Sequence, residues 1–131
     1  MVYPVVASGT IDNCPTSNTS ISAVLPQQTQ TITITGQGFG TQAAYTGDSA
    51  YIQVSDTTRT WTGGFTGNGV TLGVTSWTDS KIILSGFAGS FGPNHCIAPG
   101  DHLNFSVWNA GTGAGPVVYP VVATSGSSTC P

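Results

Sequence analysis

Short runs in which every second residue is apolar, each stopped by glycine, place the tightest constraint on how this chain can fold. In "TITIT" (31–35) Ile32 and Ile34 alternate with threonine, and in "HLNFSVWN" (102–109) Leu103, Phe105 and Val107 alternate with Asn104, Ser106 and Trp108. A period of two sends one set of side chains to a single sheet face and leaves the other set in water. Strand-like segments of this kind recur at 19–25, 30–35, 50–55, 69–76, 81–87, 102–109 and 116–123. Between them stand "GQGFG" (36–40), "GGFTGNG" (63–69), "GSFGPN" (89–94) and "GTGAG" (111–115), which carry turn chemistry. With one lysine, one arginine and no glutamate, the chain also lacks the residues that build solvent-facing helices. The expected class is all-β, with about seven strands in an antiparallel two-sheet sandwich.

The two ends of the sequence repeat each other. "VYPVVASGTIDNCP" begins at Val2 and "VYPVVATSGSSTCP" at Val118, and the two agree at eight of fourteen positions without a gap. Such self-similarity points to a repeat period of 116 residues. The expected division is a duplicated end strand at 1–15 and one sandwich domain at 16–131. Three origins for the duplication stay open. The first segment is the tail of a preceding repeat, or both copies are edge strands of one sandwich, or they compete for one slot and let copies join by strand addition. Pro4 and Pro120 suit an edge, because proline cannot donate to a central ladder. The candidate assembly residues are therefore Val2, Tyr3, Pro4, Val5 and Val6, and their counterparts Val118, Tyr119, Pro120, Val121 and Val122.

Charge narrows the partners. Net charge is −3, and the two cations, Arg59 and Lys81, are far apart in sequence. No basic patch is available to neutralise phosphates or an anionic lipid surface, so neither nucleic acid nor membrane insertion is expected. No run of 18 apolar residues is present, and no secretory leader is legible ahead of Val2.

Three segments, in order, carry a family resemblance. "ISAVLPQQTQTITITGQGFG" (21–40) is a short strand ending in proline, then an alternating strand running into Gly-x-Gly-Phe-Gly. "SWTDSKIIL" (76–84) follows, and "APGDHLNFSVWNAGTGAGP" (98–116) closes with a Gly-Asp turn, a Val-x-Asn strand and a glycine-rich turn. Together they resemble the bacterial IPT/TIG-type immunoglobulin-like domains over most of residues 19–123. The resemblance implies an immunoglobulin-like sandwich and no particular activity, since that fold serves carbohydrate contact, adhesion, spacing and dimerisation alike. The middle stretch, 41–67, departs from the family pattern.

Cys14, Cys96 and Cys130 are an odd number of thiols, which the repeat explains if Cys14 is another unit's equivalent of Cys130. Loop entropy gives roughly 4.5 kcal/mol for a Cys14–Cys96 bridge and roughly 3.8 kcal/mol for Cys96–Cys130, which does not discriminate. The immunoglobulin-like topology implied by the resemblance does. It brings the loop before the penultimate strand to the end where the last strand exits, which pairs Cys96 with Cys130 and leaves Cys14 free or intermolecular. A disulfide implies an extracellular or cell-surface location, in keeping with the Asn-x-Ser/Thr triplets at Asn18 and Asn104. Three reduced, buried thiols in a cytosolic protein are the plain alternative.

Catalytic groups are sparse. His95 precedes Cys96, but neighbours on an extended segment point to opposite faces, and a turn histidine beside a disulfide cysteine is much the better account of the pair. His95, Cys96, Asp101 and His102 match no zinc spacing, and Asp48, Asp56, Asp79 and Asp101 are scattered, as turn-forming aspartates usually are. The expectation is a non-enzymatic chain without metal or cofactor. Its partners are other copies of the same domain, as in an extracellular structural or adhesive repeat unit linked end to end. The alternative is a carbohydrate-binding module for neutral polysaccharide. Its platform would be Trp61, which sits in the polar "TTRTWTGG", with Trp108 and Tyr45, although tryptophan on a sandwich often only covers a sheet edge.

Overall fold

The computed structural model describes residues 20–47, 51–64, 69–92, 94–126 and 130. These residues are all-β. Nine strands occur among them: β1 (Ser20–Ile21), β2 (Thr29–Thr35), β3 (Tyr45–Gly47), β4 (Ile52–Asp56), β5 (Trp61–Gly64), β6 (Val70–Thr78), β7 (Lys81–Gly89), β8 (His102–Val107) and β9 (Val117–Val122). Each of the seven expected segments contains a strand. The two additional strands, β3 and β5, both fall in the middle stretch that departs from the family pattern.

The strands pair in the order β1-β2-β7-β6-β5-β4-β8-β9, with β3 also on β6. This is one sheet, nearly closed into a barrel, where two separate sheets were expected. Its halves meet through a single parallel residue pair, Gly63 opposite Val70. All other pairings are antiparallel. Near the open seam, Thr124 N–H donates to the Val24 carbonyl (2.9 Å), tying the chain beyond β9 to the chain beyond β1.

Alternation places the core as the sequence predicts. Ile32 and Ile34 of β2 and Leu103, Phe105 and Val107 of β8 are buried, while the threonines between the isoleucines stay at least partly in water. With Phe39, Ile52, Val54, Leu72, Ile82 and Leu84 they fill the interior. Burial contributes roughly 1.5–3 kcal/mol per large apolar side chain, which makes this interior the main stabilising term.

The barrel has two ends. At one, the three resembling segments converge. Phe39 of "GQGFG" is buried, and its carbonyl accepts both Ala110 N–H (2.8 Å) and the Trp77 indole N–H (2.8 Å). Gly40 N–H donates to Asp79 Oδ1 (3.1 Å). A Cβ on Gly40 would lie 2.7–2.9 Å from Asn109 Oδ1 and the Ala110 and Gly111 nitrogens, so only glycine lets these loops approach so closely. Asn109, itself buried, donates from Nδ2 to the Gly38 carbonyl (2.9 Å) and accepts from the Gly111 and Thr112 N–H groups.

Candidate functional site

The opposite end brings together Asp56, Asp101 and Arg59. β4 ends at Asp56, the turn 57–60 follows, β5 begins at Trp61, and the 96–101 loop leads into β8. Asp56 is fully buried and Asp101 is 3% exposed. Arg59 Nε donates to Asp101 Oδ2 (2.8 Å), and Ala98 N–H donates to the same oxygen (3.1 Å). Asp56 Oδ1 accepts Arg59 N–H (2.9 Å), an interaction that folds the turn back on itself. Thr57 and Thr58 bind the turn to His102, whose carbonyl accepts Thr57 N–H and whose N–H donates to Thr58 Oγ1 (both 2.9 Å). Thr60 completes the turn at φ 60°, a left-handed conformation unusual for a β-branched residue.

Asp56 Oδ2 is buried and receives no N–H or O–H donor. Burial, then the hydrogen bond and negative charge of Asp101, push the Asp56 carboxyl up to about 7 against the lowering influence of Arg59. Burial alone would raise Asp101 as well. There, hydrogen bonds from Asp56, Ala98 and Arg59 together with the guanidinium charge prevail, and its pKa is lowered. The negative charge of the pair is therefore favoured on Asp101, where it faces Arg59, and Asp56 is the carboxyl that holds a proton up toward neutral pH. Both carboxyl groups are closed off from solvent, so the arrangement joins the β4–β5 turn to the β8 loop and presents no oxygen to a substrate.

The carbohydrate platform is not assembled. Trp61 is 1% exposed, which overturns its expected surface position. Its indole N–H donates to the Cys96 carbonyl (2.8 Å), and its ring packs edge-on against Phe87 (6.1 Å) and Phe91 (6.0 Å). The polar neighbours in "TTRTWTGG" misled because the apolar partners come from distant strands. Trp108 is half-buried just beyond β8, at the barrel end opposite Trp61. Tyr45 is half-buried on β3 and packs against the core. Trp77 is buried, and its indole N–H donates to the Phe39 carbonyl.

Cys96 and Cys130 form a disulfide, joining the chain beyond β9 to the loop before β8. His95 Nδ1 lies 3.2 Å from the Ser90 carbonyl, in the turn closed by the Gly92–His95 bridge. Cys14, Asp48 and the candidate assembly residues Val2, Tyr3, Pro4, Val5 and Val6 lie outside the described residues.

β9 is the last strand in the sheet order, and no strand among the described residues pairs with its outer edge. Ala123 N–H donates to the Asp101 carbonyl, so in antiparallel alternation Val117, Tyr119 and Val121 bond toward β8, while Val118, Pro120 and Val122 face outward. Proline thus occupies a position where β8 requires no donor. Tyr119 is buried opposite Phe105, whereas Val118 and Val122 are 49% and 53% exposed.

No protein-family model matches this chain, and neither a curated protein nor a solved structure shows significant similarity to it.

Proposed function

We propose that the chain is an extracellular, non-enzymatic structural or adhesive module that links end to end with copies of itself, along one polypeptide or by lending a strand. One observation carries this reading. Among the described residues the edge of β8 already carries β9, fastened by its own disulfide to the loop before β8, yet the sequence holds a second version of that strand and its cysteine. One slot and two matching strands suit a unit whose surplus strand belongs with another copy.

We read the fold as an immunoglobulin-like sandwich of the IPT/TIG kind. The runs β1-β2-β7-β6 and β5-β4-β8-β9 support this, because they follow the two-sheet strand order of immunoglobulin domains and are joined by a single residue pair. The convergence of the three resembling segments at one end agrees with it. The disulfide supports an oxidising compartment. Sedimentation of the chain from micromolar to millimolar concentration tests linkage between separate chains. Assembly that disappears when residues 1–14 are removed is expected, and a monomer throughout would overturn it.

A further inference from the structure

We infer that the β9 slot, meaning the edge of β8 that β9 occupies together with Cys96, is the acceptor for residues 2–14 of a second copy, with Cys14 bonded to the acceptor's Cys96. The inference rests on the linking role proposed above and names its site and its partner.

The slot makes specific demands. It buries a tyrosine opposite Phe105, half-buries a valine two residues later, and buries the alanine that follows at the same spacing. At Pro120 it tolerates the absence of an N–H, since that residue faces away from β8. Tyr3, Pro4, Val5 and Ala7 meet these demands in the same order and spacing as Tyr119, Pro120, Val121 and Ala123. Seven residues after the alanine in both segments comes a cysteine followed by proline, so Cys14 reaches the position from which Cys130 bonds Cys96.

The outer edge of β9 is the poorer acceptor. Pro120 removes the central donor there, a known guard against edge pairing. Replacing β9 exchanges one set of contacts for a nearly identical set, which is the low-cost condition for strand swapping. A module's own β9 competes from its tether at an effective concentration on the order of millimolar, so a second copy prevails when copies are crowded or when the acceptor's own strand is released.

The covalent step is redox-neutral. The Cys14 thiolate attacks Cys96 Sγ and forms the Cys14–Cys96 bond. The Cys96–Cys130 bond breaks, and Cys130 leaves as a thiolate and takes up the proton Cys14 gave.

The test mixes two full-length chains in a glutathione redox buffer. The donor, C96S/C130S, keeps only Cys14, and the acceptor, C14S, keeps the Cys96–Cys130 bond. Because that donor lacks its own disulfide, nitrogen-15-labelled wild-type chain serves as a second donor. Mass spectrometry of non-reduced digests is expected to find Cys14 of the donor on Cys96 of the acceptor, with Cys130 released. Tyr3→Asp in the donor should cut the yield at least tenfold. Dimers linked through other cysteines, or a yield that Tyr3→Asp leaves unchanged, would overturn the slot while leaving end-to-end linkage intact. Chains that stay separate under all conditions, to millimolar concentration, would overturn both the slot and linkage between separate chains.

Discussion

The two ends of the barrel fasten loops to strands by opposite means. At the glycine end, Asn109 joins three backbone groups through a neutral side chain, and a glycine at position 40 lets the loops touch. At the acid end, Asp56, Asp101 and Arg59 do the equivalent work with two carboxyl groups and one guanidinium, and burial raises the Asp56 carboxyl to about 7. The Asn109 amide holds its contacts at any ordinary pH. The Asp56 carboxyl does not keep its proton, and the difference should be measurable as a pH response of the acid end.

The largest expected effect is at Asp101. Its replacement by alanine removes the acceptor for Arg59 and Ala98 and the neighbour of the Asp56 carboxyl; the exposed Arg59 loses little, while the buried groups left without a partner cost together roughly 2–5 kcal/mol. Urea unfolding of D101A should show that loss, and a change under about 1 kcal/mol would mean that the acid end does not hold the turn to β8.

pH comes next. The folded-state pKa of Asp56 lies above its ordinary value, so its contribution is full below about pH 4 and is lost as pH rises through about 7. Asp101, with a lowered value, acts in the other direction and weakens the fold only as strong acid protonates it. Stability should therefore peak in mild acid and fall, on the order of 2–4 kcal/mol, between pH 5 and 8. Among the described residues, Arg59 and Asp101 are the charged groups that act on Asp56. D56N mimics the protonated form and should flatten that fall, and a wild-type profile as flat as that of D56N would remove the Asp56 proton from the account.

Asn109→Ala should cost about 2–3 kcal/mol, since it strands a buried carbonyl and two N–H groups. Its effect should be the same at pH 5 and pH 8, and a pH-dependent loss there would erase the contrast between the ends. The smallest change is expected at Thr60, where glycine would relieve the left-handed backbone and raise stability by about 0.5–1 kcal/mol. A destabilised T60G, measured the same way, would show that the Thr60 hydroxyl bond to the Arg59 carbonyl matters more than the strain.

Seven strands were legible because alternation is a local signal. Ile32, Ile34, Leu103, Phe105 and Val107 announce their burial within a few residues of themselves. β3 and β5 were not legible, because "YTG" and "WTGG" contain no alternating apolar set and owe their place to β4 and β6. The same non-locality hid Trp61, whose ring partners lie 26 and 30 residues away at Phe87 and Phe91. It also hid the acid cluster, since Asp56 and Asp101 meet only when β4 pairs with β8. The signal available for that cluster was modest: an aspartate three residues before Arg59 and another in a Pro-Gly-Asp turn. The disulfide was anticipated because strand ends, unlike side-chain clusters, follow from topology.

In copies linked as proposed, the Cys96–Cys130 bond would set how tension is borne. A pull on the chain beyond Cys130 is delivered through sulfur to the loop before β8, so β9 is not peeled from its edge one hydrogen bond at a time. The 34-residue separation between the cysteines is withheld from extension, which shortens the stretched length of an oxidised module by about 110–120 Å relative to a reduced one. In a series of such units, reduction would act as a slack release and oxidation as a stop.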